Sequence, residues 1–456
     1  MGKKINRRQA LGILGASIAT VAGIGVWNRP KIIDFLDRDV EKQENSEENT
    51  VVTRLYPSNG QQLSLLGFGG MRFPTRMTAS GKEIDEELAG KMIDYAYRHG
   101  VNYYDTAYFY HEGKSEAFMG KILKKYPRDS FYLCDKMPTP ILTGLEQAKK
   151  IFQGQLDACQ VEYFDNYLLH SLTTREQFEQ LYIQDGILDY LRSEKAAGRI
   201  RCLGFSFHGD VPFFNYLMDT FSWDCVMIQL NYADWNDEGE APEGSRQAGT
   251  LYRKAMEKGV PIFVMEPVKG GNLAILPESA SKILKAARPN DSEASWALRY
   301  VGSLPGIVTM LSGMSSIEQV IDNIHTMADF QPLDDREKQV LARSMGKGTE
   351  TAQVHCTYCR YCDPCPYGVD IARIFHVYNA QAVRLGIATD TASDTDKKEF
   401  IIRYKNEVRR AGRAGHCIGC NTCLSRCPQH IAIPQEIRKI DAMVRKTAAD
   451  TGKVVI

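Results

Sequence analysis

Eight of the twelve cysteines fall in two short runs near the C-terminus. The first reads Cys356-Thr-Tyr-Cys359-Arg-Tyr-Cys362-Asp-Pro-Cys365-Pro366, the second Cys417-Ile-Gly-Cys420-Asn-Thr-Cys423-Leu-Ser-Arg-Cys427-Pro428. Two-residue gaps let one loop set three thiolates at three corners of an iron–sulfur cube, and the fourth cysteine, followed by proline, reaches across to a second cube. Two [4Fe–4S] clusters are therefore expected, and at least one, with all eight cysteines as ligands. The first run departs from the rule because only two residues separate Cys362 from Cys365. A zinc ribbon also uses C-x2-C pairs and remains the alternative. Disulfides do not suit four cysteines in ten residues, which cannot pair without strain.

A second set of residues is spread along the chain. Asp105 follows Tyr103-Tyr104, and Tyr110 comes five residues later. Lys136 closes the apolar run Phe131–Met137, and His170 closes Asn166-Tyr167-Leu168-Leu169. Together these four could protonate a carbonyl that is being reduced. A tyrosine phenol, with an ordinary pKa of about 10, would be the proton donor. A lysine ammonium beside it would lower that value, and an aspartate would keep the lysine charged and oriented. The histidine would place the carbonyl oxygen. Each has a plainer reading: a helix cap for Asp105, one tyrosine among many for Tyr110, a satisfied core residue for His170. A lysine inside an apolar run is harder to explain away, because buried lysine is rare unless paired.

The elements that would position them alternate between residues 51 and 335. Apolar runs at Leu63–Phe68, Val101–Thr106, Phe131–Met137, Phe164–His170, Ile200–Ser206, Cys225–Asn231, Pro261–Pro267 and Ile307–Ser312 read as strands. Helical periods lie between them, as in Glu87–His99, and Gly100, Gly198 and Gly259 mark left-handed helix ends. Eight strand–helix units predict an α/β protein of the (β/α)8 TIM barrel type, in which strand C-termini carry the chemistry. A doubly wound sheet is disfavoured, since no Gly-x-Gly-x-x-Gly turn follows the first strand. Val51–Leu65, turning at Ser58-Asn59-Gly60, reads as a hairpin across the barrel bottom. Beyond it, Val369–Leu385, Lys397–Arg410 and Ile437–Thr447 read as helices. Together with the cysteine runs they predict a mainly helical iron–sulfur domain over 345–445.

In order and context, Asp105-Thr-Ala-x-x-Tyr110, Lys136 and His170 resemble the catalytic tetrad of the aldo-keto reductase superfamily. Gly67-Phe68-Gly69-Gly70-Met71 resembles its first-strand loop, Gly204-Phe205-Ser206 its fifth-strand Gly-x-Ser, and Gln229-Leu230-Asn231-Tyr232 its sixth-strand segment. Ser312-Gly313-Met314 through Asp322-Asn323 resembles its eighth-strand cofactor clamp. The resemblance implies a nicotinamide cofactor, NADP or NAD, beside Gly69, Gly70, Met71 and Asp105. Ser206 and Gln229 would hold its carboxamide, and Gly313, Met314, Gln319 and Asn323 would lie near its adenosine. Ser315, Ser316 and Gln319 supply no cation for a 2′-phosphate, which weakens the case for NADP. With the cysteine runs appended, the chain resembles the bacterial subgroup that carries a C-terminal ferredoxin-type 4Fe–4S region. The substrate implied is a small aldehyde, ketone or alcohol.

The N-terminus is different again. Lys3, Lys4, Arg7 and Arg8 precede an uncharged run from Gln9 to Trp27. Residues 1–30 thus resemble a twin-arginine (Tat) signal, cleaved or kept as an anchor, and 31–50 read as a polar linker. Export to the periplasm or the outer side of the inner membrane is expected, with the cytoplasm as the alternative and the N-terminal segment as the only membrane contact. The chain balances 56 Lys and Arg against 56 Asp and Glu, so no global field favours nucleic acid. Cys134, Cys159, Cys202 and Cys225 read as buried thiols. Two functions remain in view. One is a nicotinamide-dependent reductase whose clusters are structural or serve a redox partner protein. The other is an exported iron–sulfur electron carrier or redox sensor that uses the barrel as a scaffold.

Overall fold

The computed structural model describes residues 50–451 except 79–80, 236–246, 346–353, 384, 386 and 388–391. The signal and nearly all of the linker expected from the sequence lie outside these residues. No described helix is long and apolar enough to cross a membrane. Among the described residues the chain divides into two compact units, one within 50–235, 247–267 and 297–332, the other within 268–296 and 333–451.

The first unit opens with the hairpin β1 (Thr53–Tyr56) and β2 (Gln61–Ser64). Then come β3 (Leu66–Gly69), a second hairpin β4 (Thr75–Thr78) and β5 (Gly81–Ile84), and α1 (Glu86–Arg98). In α1 the sequence rules are plain to see. Asp85 accepts the Leu88 N–H as an N-cap, Glu86 and Glu87 face the positive end of the helix dipole, and Arg98 faces the negative end. Met92, Ile93 and Ala96 bury one face, and Gly100 follows at a φ of 83°. The pattern repeats through β6 (Tyr103–Asp105), α2 (Ser115–Leu123), β7 (Tyr132–Met137), α3 (Leu145–Cys159), β8 (Phe164–Leu172), α4 (Ile187–Ala196), β9 (Ile200–Phe207), α5 (Val211–Thr220), β10 (Cys225–Gln229), α6 (Ala248–Glu257) and β11 (Ile262–Met265). After α7 (Glu278–Ala287), which belongs to the second unit, and α8 (Glu293–Gly302), which begins in it, β12 (Ile307–Ser312) and α9 (Ile317–Ala328) complete the first unit's series.

Strands β3 and β6 to β12 pair in parallel and close into an eight-stranded barrel. All nine residues of β8 are buried, as befits a strand covered by helices outside and packed side chains inside. Close approach is enforced at Gly204, where a Cβ would stand 2.4 Å from the Cys225 carbonyl oxygen. The β1–β2 hairpin closes one end of the bore. Tyr56 and Leu63 join Tyr103, Cys134, Leu168, Cys202, Cys225 and Phe263 in one buried cluster, and the Tyr56 hydroxyl donates to the Asp224 carbonyl.

The sequence pattern merged β2 and β3 into one strand. Apolar residues run through the junction, but the chain turns there because Leu65 N–H pairs back to Val52 O while Ser64 Oγ bonds Leu66 O. Helices α5 and α7 and the β4–β5 hairpin had no counterpart in the sequence reading.

The second unit has its own core. After α10 (Asp335–Met345), α11 (Ile371–Val377), α12 (Asp394–Glu407) and α13 (Ile433–Asp450) bury Ile374, Phe375, Phe400, Tyr404, Ile437 and Val444 together. Residues 268–296 belong to this unit. Within it Asn272 Nδ2 donates to the Cys356 carbonyl at 3.1 Å, and the Arg288 guanidinium on the turn after α7 meets Glu337 of α10 at 2.5 Å.

Candidate active site

Strands β6, β7 and β8 deliver Asp105, Lys136 and His170 at or near their C-terminal ends, and Tyr110 follows β6 in the next loop. All four are buried. The Lys136 ammonium donates to Asp105 Oδ1 at 2.7 Å and to the Thr106 carbonyl at 2.7 Å, and it lies 3.4 Å from Tyr110 Oη. His170 presents its ring edge-on to Tyr110, with centroids 6.2 Å apart. The sequence order thus becomes one constellation.

Its electrostatics differ from the sequence expectation at one point. Burial, the largest single influence, acts to lower the Lys136 pKa, but Asp105 together with Cys134 and Asp135 outweighs it and holds the ammonium above its ordinary value. Burial would neutralise Asp105, and the lysine opposes that. Tyr110, expected to be depressed by Lys136, is instead pushed well above the ordinary phenol value. Burial is the chief cause, and the carboxylate of Asp105 adds to it. The phenol therefore keeps its proton against water and yields it only to a much stronger base. His170 is driven well below its usual range by burial and then by Lys136, so its imidazole is neutral.

The position of His170 has a local cause. Register between β8 and β9 shifts between Leu169 and Leu172, and Ser171 adopts a φ of 59°, the signature of a bulge that re-aims a side chain. Ser206 pins this bulge: its hydroxyl accepts the Ser171 N–H at 2.7 Å. The Gln229 amide donates to Asp234 Oδ2 at 2.8 Å, and Asn231 donates to the same oxygen at 2.8 Å. Asp234 and Thr106 had not been singled out in the sequence. Asx-turn spacing from Asn231 was the available signal for the first, whereas a backbone carbonyl leaves none for the second.

The other residues expected at the cofactor lie around the end of β12. A Cβ on Gly69 would stand 3.3 Å from the Ser312 carbonyl oxygen, and one on Gly70 would stand 2.8 Å from the Asp105 carbonyl. Met314 is fully buried, Asn323 Nδ2 donates to Ser312 Oγ at 2.8 Å, and Gln319 Oε1 accepts from Ser315 N–H at 2.8 Å. Met71 sits in the 3-10 turn Gly70–Arg72 after β3. The same turn supplies a cation that the sequence reading missed. The Arg72 side chain lies over Gly313, its Cδ 2.7 Å from where a Cβ would be.

The eight clustered cysteines regroup across their two runs. Cys362 is buried, and its thiol is pushed up first by burial, then by Asp363, Cys359, Cys356 and Cys427. Cys423 is raised by burial, with Cys417, Cys420 and Cys365 acting on it as well. The fourth cysteine of each run therefore stands with the first three of the other. A small cavity is lined by Cys362, Cys365, Cys417, Cys420 and Cys423, with Ile371 and Ile433 beside them. Among the described residues, which include all twelve cysteines, no disulfide forms. Nor do three His, Cys, Asp or Glu side chains there converge on a single-ion position. Cys134, Cys159, Cys202 and Cys225 are buried, as the sequence suggested.

Comparison with known proteins places this geometry. L-galactose dehydrogenase of Arabidopsis thaliana is 25% identical over 303 residues, covering 61% of this chain and 89% of its own. A putative voltage-gated potassium channel subunit beta of Schizosaccharomyces pombe is 26% identical over 324 residues, covering 61% and 88%. The holo form of aldo-keto reductase AKR11C1 from Bacillus halodurans matches the fold with a TM-score of 0.51 at 26% identity, over 64% of this chain and 96% of that one. The Aldo/keto reductase family model matches residues 65–343, which span the closed barrel and its buried polar constellation. The chain belongs to the Aldo/keto reductase family.

Proposed function

We propose that the chain is a nicotinamide-dependent oxidoreductase that interconverts a small aldehyde or ketone and the matching alcohol, and that its C-terminal segment holds two [4Fe–4S] clusters. The observation that carries the first part is the buried Lys136 ammonium, 2.7 Å from Asp105 and 3.4 Å from Tyr110. A nicotinamide coenzyme, NADP or NAD, would supply the hydride when bound. Gly69, Gly70, Met71, Ser206, Gln229, Gly313, Met314, Gln319 and Asn323 would hold it: the glycines and polar side chains among them, with the two methionines beside them, lie around the barrel strand ends. Arg72 would answer a phosphate.

The chain's own residues account for the proton. Tyr110 retains its hydrogen until an alkoxide develops within reach, then gives it up. Lys136 stabilises the phenolate left behind, and Asp105 keeps that lysine charged. Neutral His170 donates a hydrogen bond that orients the carbonyl oxygen. In the alcohol direction the same groups run in reverse.

Support for the clusters comes from the regrouped thiols. A cube takes its cysteines at separate corners, which suits side chains that surround a cavity without meeting at one point. Cys356, Cys359, Cys362 and Cys427 would hold one cluster, Cys365, Cys417, Cys420 and Cys423 the other. Such clusters exchange single electrons, so they fit a structural role or a separate redox partner protein better than the hydride step. The N-terminal pattern around Arg7-Arg8 supports export of the folded protein.

The decisive experiment titrates reconstituted protein with NADPH and NADH while following intrinsic fluorescence and aldehyde consumption. Quenching with turnover, reduced 10²–10⁴-fold by Tyr110→Phe, supports the reductase. Cluster reduction by an artificial donor with no nicotinamide affinity would instead make the chain an iron–sulfur carrier or sensor.

A further inference from the structure

Behind the β7 strand lies a buried polar network that the proton transfer does not use. Asp135 and Lys136 are neighbours on β7, so their side chains leave opposite faces of the strand. Lys136 enters the site. Asp135, fully buried, and Glu116 of α2, which is 6% exposed, bring their carboxyls within reach of each other. Glu116 Oε1 also accepts from Gln155 Nε2 of α3 at 2.8 Å, and the Tyr167 hydroxyl of β8 donates to Gln155 Oε1.

This network grips the peptide of the lysine from both sides. Asp135 Oδ1 accepts the Lys136 N–H at 2.8 Å, and Gln155 Nε2 donates to the Lys136 carbonyl at 3.0 Å. Two carboxylates in contact and out of water cannot both be ionised, so one proton is retained between them. The pair then carries one negative charge, on the far side of the strand from the ammonium.

We propose that Asp135 and Glu116 share a single proton at neutral pH and act, with Gln155, as positioning residues for Lys136, fixing its backbone and supporting its charge and the proton of Tyr110. The groups facing the pair are consistent with this. From α3 comes the Cys159 thiol, 3.8 Å from Asp135 Oδ2, and from β8 Tyr167; Cys134 and Lys136 share β7 with it, and Asp105 stands on β6. Burial first, then Glu116, pushes Asp135 well above the carboxylate range, and burial raises Glu116 as well. Asp135 in turn is among the charges that raise Lys136 and Tyr110. Loss of the pair's charge therefore lowers both, and the alkaline limb of activity moves to lower pH.

The kinetic half of this inference rests on the reductase reading, and the spectroscopic half does not. Infrared difference spectra at neutral pH, wild type minus Asp135→Asn and wild type minus Glu116→Gln, are expected to show the same protonated-carboxyl band lost in each. In the Asp135→Asn/Glu116→Gln double variant, which keeps amides in both places, the alkaline limb of kcat/KM is expected about one pH unit lower. The KM for NADPH should change little beside kcat. Titration of the Lys136 ammonium by ¹⁵N resonance in the same variant should show the same downward shift. Absence of the band, or an unmoved Lys136 titration, overturns the proposal. Should wild type reduce no carbonyl at all, the reductase reading falls, while the band and the lysine titration still decide the shared proton. Should the double variant fail to fold, the two single-variant spectra decide it.

Discussion

Lys136 and Asp105 form an ion pair of 2.7 Å in which the side chains retain 1% and 3% of their exposure. Neither charge has water to return to. The pair is held on adjacent strands β7 and β6, whose register sets Asp105 opposite Cys134 and so places Lys136 two residues further along. Such a pair contributes little net stability when intact, but removing one partner strands the other.

Lys136→Met is therefore expected to destabilise the fold by about 3–5 kcal/mol. The Lys136→Met/Asp105→Leu double variant should recover much of that loss, since two apolar residues replace two buried charges. Both variants should be inactive. Denaturant unfolding and a carbonyl-reduction assay, run on the same preparations, separate the two effects. Equal instability of the single and double variants would show that the ion pair is not the cause.

The thiol grouping makes a crossed prediction. Cys427→Ser should empty the site formed with Cys356, Cys359 and Cys362, and Cys365→Ser the site formed with Cys417, Cys420 and Cys423. Iron analysis should fall from about eight atoms per chain to about four in either variant. Electron paramagnetic resonance of the reduced variants should show two different residual signals. If Cys427→Ser instead removed the cluster of its own run, the crossed assignment would be wrong.

His99 gives a pH-dependent stability. Its ring stacks on Tyr95, and burial lowers its pKa to about 4. An unfolded chain binds a proton here below an ordinary value of about 6.5, while the folded chain does not until about 4. The neutral ring thus favours the fold above pH 6.5, and that benefit fades as pH falls toward 4. Relative to His99→Gln, wild type should lose stability across this window, by at most about 1.4 kcal/mol per pH unit. Thermal melts of the pair at pH 7 and pH 5 measure it. A constant difference between the two proteins would remove burial as the cause.

Arg72 bears on cofactor choice. Its side chain packs over Gly313, next to the clamp residues Ser315, Ser316 and Gln319, which carry no cation themselves. Arg72→Met should weaken NADPH about tenfold and NADH far less, the loss of one charge-assisted contact. Fluorescence titration with both coenzymes tests this. Equal weakening would move the contact to the part the two share.

Legibility from the sequence followed physical range. The barrel could be read because its strands are local apolar runs and several of its helices end on their own glycine, as at Gly100, Gly198 and Gly259. Asp105, Lys136 and His170 could be read because strand C-termini of such barrels share one rim. What escaped depends on contacts made only after folding. The Lys136 bond to the Thr106 carbonyl involves backbone, which has no residue type to notice. The elevation of Tyr110 comes from enclosure, and the sequence suggested only the nearby lysine. The Ser206 hydroxyl holds the Ser171 bulge, and nothing near Ser206 in the chain announces a partner 35 residues away. Asp135 gains its surroundings only in the fold, where Glu116 and Gln155 come from two helices behind the strand.

Because Tyr56 and Leu63 are packed into the hairpin end of the barrel, molecules reach Tyr110 from the rim where the strands end. Two reactants that meet there must queue. Whichever lodges deeper arrives first and departs last, so steady-state kinetics should show a fixed order of addition rather than a free one.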